Sequence, residues 1–174
     1  MRRAEEDQTL EVIATINGRE RRFSVLPRLS LADTLREELG LYGVRTGCEH
    51  GVCGACTIIV DDLAVRSCLM LGVQADGKTI RTVESLAKGN TLHPLQEAFR
   101  RHHALQCGFC TAGILATTQA LLAENPHPTR GEVRETLSGN ICRCTGYQTI
   151  VDAIMDYAET GRPDIADGDR ECAE

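Results

Sequence analysis

The sequence predicts an α+β protein in two successive parts, a small strand-rich part and then an all-helical one. Three observations predict it. Apolar and polar residues alternate through residues 9 to 25, the pattern of a half-buried strand pair. From Pro94 onward the apolar spacing becomes helical. The cysteines form two groups of different spacing, one in each part, so the chain is not a duplication. Its 174 residues suffice for one domain or two small ones, and 42% apolar with 25% charged residues is a globular composition. The expected division is 1–85, 86–160 and a loose tail over 161–174.

In the first part, Leu10, Val12, Ala14 and Ile16 alternate along a strand. Asn17-Gly18 supplies the two positive-φ positions of a type I′ turn, and Arg19 to Val25 returns as a second strand. Ser30 is an N-cap candidate with Asp33 three residues on. Leu31, Leu35 and Leu39 share one face of the helix it opens, which Gly40 ends. Gly47 to Cys56 is a glycine-rich loop. Thr57 to Val60 reads as a strand, Asp61-Asp62 as a turn, Ala64 to Leu71 as another strand and Lys78 to Val83 as the last.

In the second part, Pro94 suits a first helical turn and the helix continues over Leu95 to His103. Thr111 to Glu124 is a long helix stopped by Asn125-Pro126. Thr129 with Glu132 forms a capping box for a helix to Ser138, ended by Gly139-Asn140. Thr145 with Gln148 forms another, opening a helix from Tyr147 to Thr160. Its buried stripe is Ile150, Val151, Ile154 and Tyr157–Ala158. Four helices with short loops read as a small bundle.

Composition narrows the function. A net charge of −6 with 3% aromatics and no Trp offers neither the basic patch nor the stacking platform of a nucleic-acid binder. No segment reaches the roughly 18 apolar residues of a membrane span. Met1 to Gln8 is charged and no apolar run follows it, unlike a secretory signal, so a cytoplasmic protein is expected. In that reducing compartment nine cysteines point to metal or redox chemistry rather than disulfides.

Cys48, Cys53, Cys56 and Cys68 have the C-x4-C-x2-C spacing with a distant fourth cysteine, the plant-type [2Fe–2S] pattern. Three thiolates from one loop must converge on an anionic cluster, so the loop curls and turns its N–H groups inward. Gly47, Gly51 and Gly54 keep side chains out of the way, and Cys68 is expected from a separate strand. Cys107 and Cys110 form a C-x2-C at one helix start, and Cys142 and Cys144 a C-x-C just before another. Helix N-termini carry partial positive charge and free N–H groups, a favourable cradle for an anionic cluster. Four-thiolate zinc is the alternative at both sites, and a thioredoxin-like pair a further one for Cys107 and Cys110. His102 and His103 precede the second group as interfacial or solvated residues. Cys172, in the acidic tail, is expected to be an exposed thiol with no role.

Three stretches carry a resemblance: G-C-E-H-G-V-C-G-A-C-T (Gly47 to Thr57), Q-C-G-F-C-T-A-G (Gln106 to Gly113) and G-N-I-C-R-C-T-G-Y (Gly139 to Tyr147). Together they closely resemble the iron–sulfur small subunit of the xanthine oxidase family of molybdenum hydroxylases, in order across about residues 8 to 160. Ala112 stands where many relatives have Pro, and Arg45 where many have Lys; neither is a candidate ligand.

The resemblance implies an N-terminal ferredoxin-like β-grasp domain followed by a four-helix bundle domain, with two [2Fe–2S] clusters and no catalytic residue. It implies docking on a large molybdopterin subunit and usually on a medium FAD subunit, as a dimer of heterotrimers. Electrons would pass from molybdenum through the helical-domain cluster and the plant-type cluster to FAD, with Gln106 and Cys144 reaching the pterin. The substrate would be set by the large subunit: an N-heteroaromatic, a purine, an aldehyde, CO or an acyl-CoA thioester. Phe99 to Cys110 resembles the N-heteroaromatic hydroxylases. A stand-alone ferredoxin and a zinc-stabilised interaction module are the competing classes.

Overall fold

The computed structural model describes residues 8–160. The expected tail over 161–174, with Cys172, lies outside the described residues. Strands β1 (Leu10–Ile16) and β2 (Arg19–Val25) pair antiparallel, with Ile16 opposite Arg19. The turn between them places Asn17 at φ 52° and Gly18 at φ 75°, as a type I′ hairpin requires. Val12, Ala14 and Ile16 turn inward with Phe23 and Val25.

Ser30 caps the helix as its sequence context predicts, its hydroxyl accepting from the Asp33 N–H at 3.1 Å. The helix is shorter than expected. Only Leu31–Asp33 (α1) is α-helical, and Thr34–Glu38 continues as a wider turn in which the Leu39 N–H reaches the Thr34 carbonyl at 3.3 Å. The widening keeps Leu31 and Leu35 fully buried and leaves Leu39 half-buried, so the expected three-leucine face is not uniform.

Strands β3 (Thr57–Val60) and β4 (Leu63–Arg66) form a second hairpin around Asp61-Asp62. The strand expected over Ala64 to Leu71 ends early. Ser67–Leu69 is a single 3-10 turn, closed by the Met70 N–H on the Ser67 carbonyl, while the Ser67 N–H and hydroxyl both hold the Cys56 carbonyl, at 3.3 and 2.7 Å. Strand β5 (Thr79–Arg81) lies parallel to β1 and antiparallel to β3, giving the order β2-β1-β5-β3-β4.

Helices α2 (Pro94–Arg101), α3 (Thr111–Glu124), α4 (Arg130–Leu137) and α5 (Gln148–Thr160) follow. Among the described residues none is long and apolar enough to cross a membrane. The Thr129–Glu132 capping box forms as predicted. The Thr145–Gln148 box does not. Tyr147 takes φ 68°, the Thr145 hydroxyl accepts from the Tyr147 N–H at 3.2 Å, and the Gln148 amide donates to Asp152.

Helix α2 packs on α5, and Arg101 and His102 both reach Asp156 across that contact, at 2.6 and 2.9 Å. His102 is therefore a partly exposed tie between helices. Helix α4 touches α3 and α5, whereas α3 also lies against β3. The helices enclose a core of Leu95, Phe99, Ile114, Val133, Ile150 and Ile154, separate from the core under the sheet. Because α3 leans on the sheet, the two parts share a wall.

Candidate metal centres

The first thiol set lies where the Gly47–Cys56 loop meets the turn after β4. The Cys53 N–H points at the Cys48 sulfur, 3.3 Å away, and together with the His50 N–H it lowers the Cys48 thiol to about 6. Cys56 is 2% exposed. Cys68 comes from the 3-10 turn rather than from a strand, and burial with the neighbouring Cys56 thiol pushes it up to about 11. The bond from Ser67 to the Cys56 carbonyl is what delivers Cys68 beside Cys56.

The second set is assembled from two loops. Cys110 occupies the N-cap position of α3, and Cys107 precedes it. Cys142 and Cys144 lie in the loop between α4 and α5, just before α5 as the sequence predicts. The sulfurs of Cys107 and Cys144 are 3.5 Å apart. The Phe109 N–H and then the Cys144 thiol lower Cys107, while the Cys107 thiol raises Cys144. Burial and then the Cys142 thiol push Cys110 up to about 12. Cys142 is lowered: burial opposes this, and the Thr145 hydroxyl and N–H outweigh burial.

In the second set the Cys107 and Cys144 sulfurs are direct neighbours, and the Cys142 thiol raises Cys110 as the Cys56 thiol raises Cys68 in the first. Among the described residues no three His, Cys, Asp or Glu side chains gather as they would around a single metal ion. A two-iron cluster takes two thiolates at each iron, so pairs of sulfur with inward N–H groups and no carboxylate fit it.

The two sets are joined by a tight seam that the sequence does not announce. The Ile141 N–H donates to the Cys53 carbonyl at 2.8 Å. The Arg66 guanidinium donates to the Gly139 carbonyl at 2.6 Å and to the Thr57 hydroxyl at 2.5 Å. A methyl at Gly54 would sit 2.3 Å from the Gly139 carbonyl oxygen, and one at Gly113 2.2 Å from that of Gly54. Only glycine allows backbones so close. The signal available in sequence was glycine beside cysteine in both motifs, without the pairing.

Gln106, Cys107 and Cys144 are exposed on one face, with Leu105 (42%), Phe109 (46%) and Ile141 (51%) exposed beside them. Exposed large apolar side chains clustered among polar groups in this way mark a contact face.

Residues 14–91 match the family described as 2Fe-2S iron-sulfur cluster binding domain, and residues 82–155 the family described as [2Fe-2S] binding domain. The chain is 61% identical over 147 residues to the nicotine 6-hydroxylase small subunit of Paenarthrobacter nicotinovorans, covering 84% of this chain and 88% of that one. It is 46% identical over 156 residues to the xanthine dehydrogenase iron-sulfur-binding subunit of Escherichia coli O157:H7, covering 88% and 97%. Among solved structures it resembles quinoline 2-oxidoreductase from Pseudomonas putida 86, with TM-score 0.85 and 62% identity over 87% of this chain and 94% of that one.

Proposed function

This chain belongs to the iron–sulfur small subunits of the xanthine oxidase family of molybdenum hydroxylases, and from that membership we propose how its cysteines divide the work of carrying electrons. It is an electron-transfer subunit with two [2Fe–2S] clusters. In our reading Cys48, Cys53, Cys56 and Cys68 hold the plant-type cluster and Cys107, Cys110, Cys142 and Cys144 the other. The observation that carries this is the approach of the Cys107 and Cys144 sulfurs to 3.5 Å from two different loops, matched in the first set by the Cys53 N–H 3.3 Å from the Cys48 sulfur. When bound, such clusters supply reversible one-electron chemistry.

The chain's own groups do the rest. N–H groups of the Cys48–Cys53 loop and of Phe109 stabilise negative charge on sulfur. The buried Cys56 and Cys110 anchor each set, and the exposed Cys107 and Cys144 present the second one to a partner. The face around Gln106 and Cys144 meets a large subunit holding a molybdopterin cofactor, Gln106 and Cys144 being the groups nearest it. Electrons then leave by the plant-type set towards FAD on a medium subunit, in a dimer of heterotrimers in the cytoplasm. The strand-rich part to about residue 85 is the ferredoxin-like β-grasp domain, and 86–160 the four-helix bundle domain. Relatives named for nicotine and quinoline support an N-heteroaromatic substrate bound by the large subunit.

The test is purification of the chain with the proteins that accompany it in its own cells. Expected are four iron and four sulfide per chain for two clusters, two distinct paramagnetic signals on reduction and a molybdenum-containing partner. Stoichiometric zinc in place of iron would refute the ligand assignment. A preparation in which only a nitrogen heterocycle reduces the clusters supports the substrate reading; reduction by aldehyde or purine alone removes it.

A further inference from the structure

We propose that Asn140 is a positioning residue that sets the spacing between the two thiol sets, and through it electron passage from one cluster to the other; the inference rests on the cluster reading above. Asn140 is 1% exposed, and all four of its polar groups are engaged. Its amide donates to the Gly54 carbonyl at 3.1 Å, midway between Cys53 and Cys56. Its amide oxygen accepts from the Thr117 hydroxyl at 3.0 Å, on the helix that Cys110 opens. Its backbone N–H donates to the Leu137 carbonyl at 2.9 Å. Its carbonyl accepts from the Tyr147 hydroxyl at 3.1 Å, and that hydroxyl oxygen accepts from the Cys142 N–H at 2.8 Å.

One residue thus links the plant-type loop, helix α3 two turns beyond Cys110, and its own α4–α5 loop, and these segments with the residues leading into α3 carry seven of the eight candidate ligands. The chemistry selects an amide. The group must donate at one end and accept at the other in a site closed to water. A carboxylate would face the Gly54 carbonyl with lone pairs, and an apolar side chain would release both the loop and α3, leaving the Thr117 hydroxyl without this acceptor while Thr57 still donates to the Gly54 carbonyl. Electron tunnelling falls steeply with distance, so a clamp between the sets bears on rate even though it touches neither cluster.

The experiment uses the assembled, iron-loaded complex carrying Asn140→Asp. Iron content and the individual paramagnetic signals are expected to stay, while the magnetic splitting between the two reduced clusters is reduced. On rapid freezing after substrate addition, the plant-type signal should then lag the other. A merely structural role would lower the unfolding temperature without changing the splitting. Should Asn140→Asp fail to assemble, Thr117→Val decides: it removes only the donor that orients the amide, and a reduced splitting is expected. Unchanged splitting in an iron-replete variant overturns the inference and leaves the cluster reading intact. Absence of iron–sulfur signals from the wild-type complex overturns that reading instead, and the inference with it.

Discussion

Replacing Gly113 by Ala tests whether the seam is as tight as it looks. Gly113 lies in the first turn of α3, buried against the plant-type loop. A methyl there would meet the Gly54 carbonyl oxygen at 2.2 Å and the Ala55 carbonyl oxygen and carbon at 3.1 and 3.2 Å. All three are backbone atoms, so α3 must retreat by about 1 Å to restore ordinary contact. Alanine favours the helix by about 1 kcal/mol, and overpacking costs about 1–3 kcal/mol, leaving roughly 0–2 kcal/mol of net loss. Each kcal/mol moves Tm by about 2–4 °C for a chain of this size. Gly131→Ala on α4 is the control. Its methyl meets nothing nearer than the Thr129 hydroxyl at 3.7 Å, and a gain of up to about 1 kcal/mol is expected. The assay is thermal unfolding of the iron-loaded protein, read by helical circular dichroism and by loss of visible absorption. If Gly113→Ala proved as stable as Gly131→Ala, the close approach of α3 to the loop would be refuted.

Other expectations follow from single residues. Cys68→Ala should abolish the plant-type signal alone and Cys142→Ala the other alone, read by low-temperature paramagnetic resonance; loss of both signals from one folded variant would refute two separate sets. Burial, and then the Lys88 charge, hold His93 below its ordinary 6.5, and its ring nitrogen accepts from the Leu95 N–H at the start of α2. A base lowered by folding contributes no penalty above 6.5. As pH falls from there through the lower folded value, the unfolded chain takes the proton first and stability drops. Tm should therefore decline across that window, and His93→Asn, which keeps a capping acceptor, should flatten the decline; an unchanged slope would refute it. Gln106→Ala should slow reduction of the nearer cluster by substrate while leaving the iron content unchanged, as followed by stopped-flow absorption.

What could be read from sequence was what local chemistry dictates. Asn17-Gly18 needs two positive-φ residues and has them, and Thr129 with Glu132 needs only each other. The cysteine spacings are likewise local, so the two sets were legible. The errors lie where distant groups intervene. The strand expected through Cys68 gives way to a 3-10 turn once Ser67 has bonded the Cys56 carbonyl, and no periodicity records that. Thr145 looks like a cap, yet its hydroxyl turns to Tyr147 and Cys142. Asn140 looked like a helix terminator, and its partners Gly54 and Thr117 are far away in sequence.

The parallel pairing of β1 with β5 has a consequence for the chain as it leaves the ribosome. Thr15 has no inner neighbour until Thr79 emerges, and the Ile13 N–H waits for the Asp76 carboxylate. The cysteine loop that leads into β3 is thus synthesised before β5, the strand that joins the two hairpins of that sheet. The Cys53 carbonyl waits longer still, for the Ile141 N–H, which arrives after most of the helical part. Contacts so remote in sequence close slowly. Iron delivered early therefore meets an open loop, and the site is sealed only when nearly the whole described chain has been made.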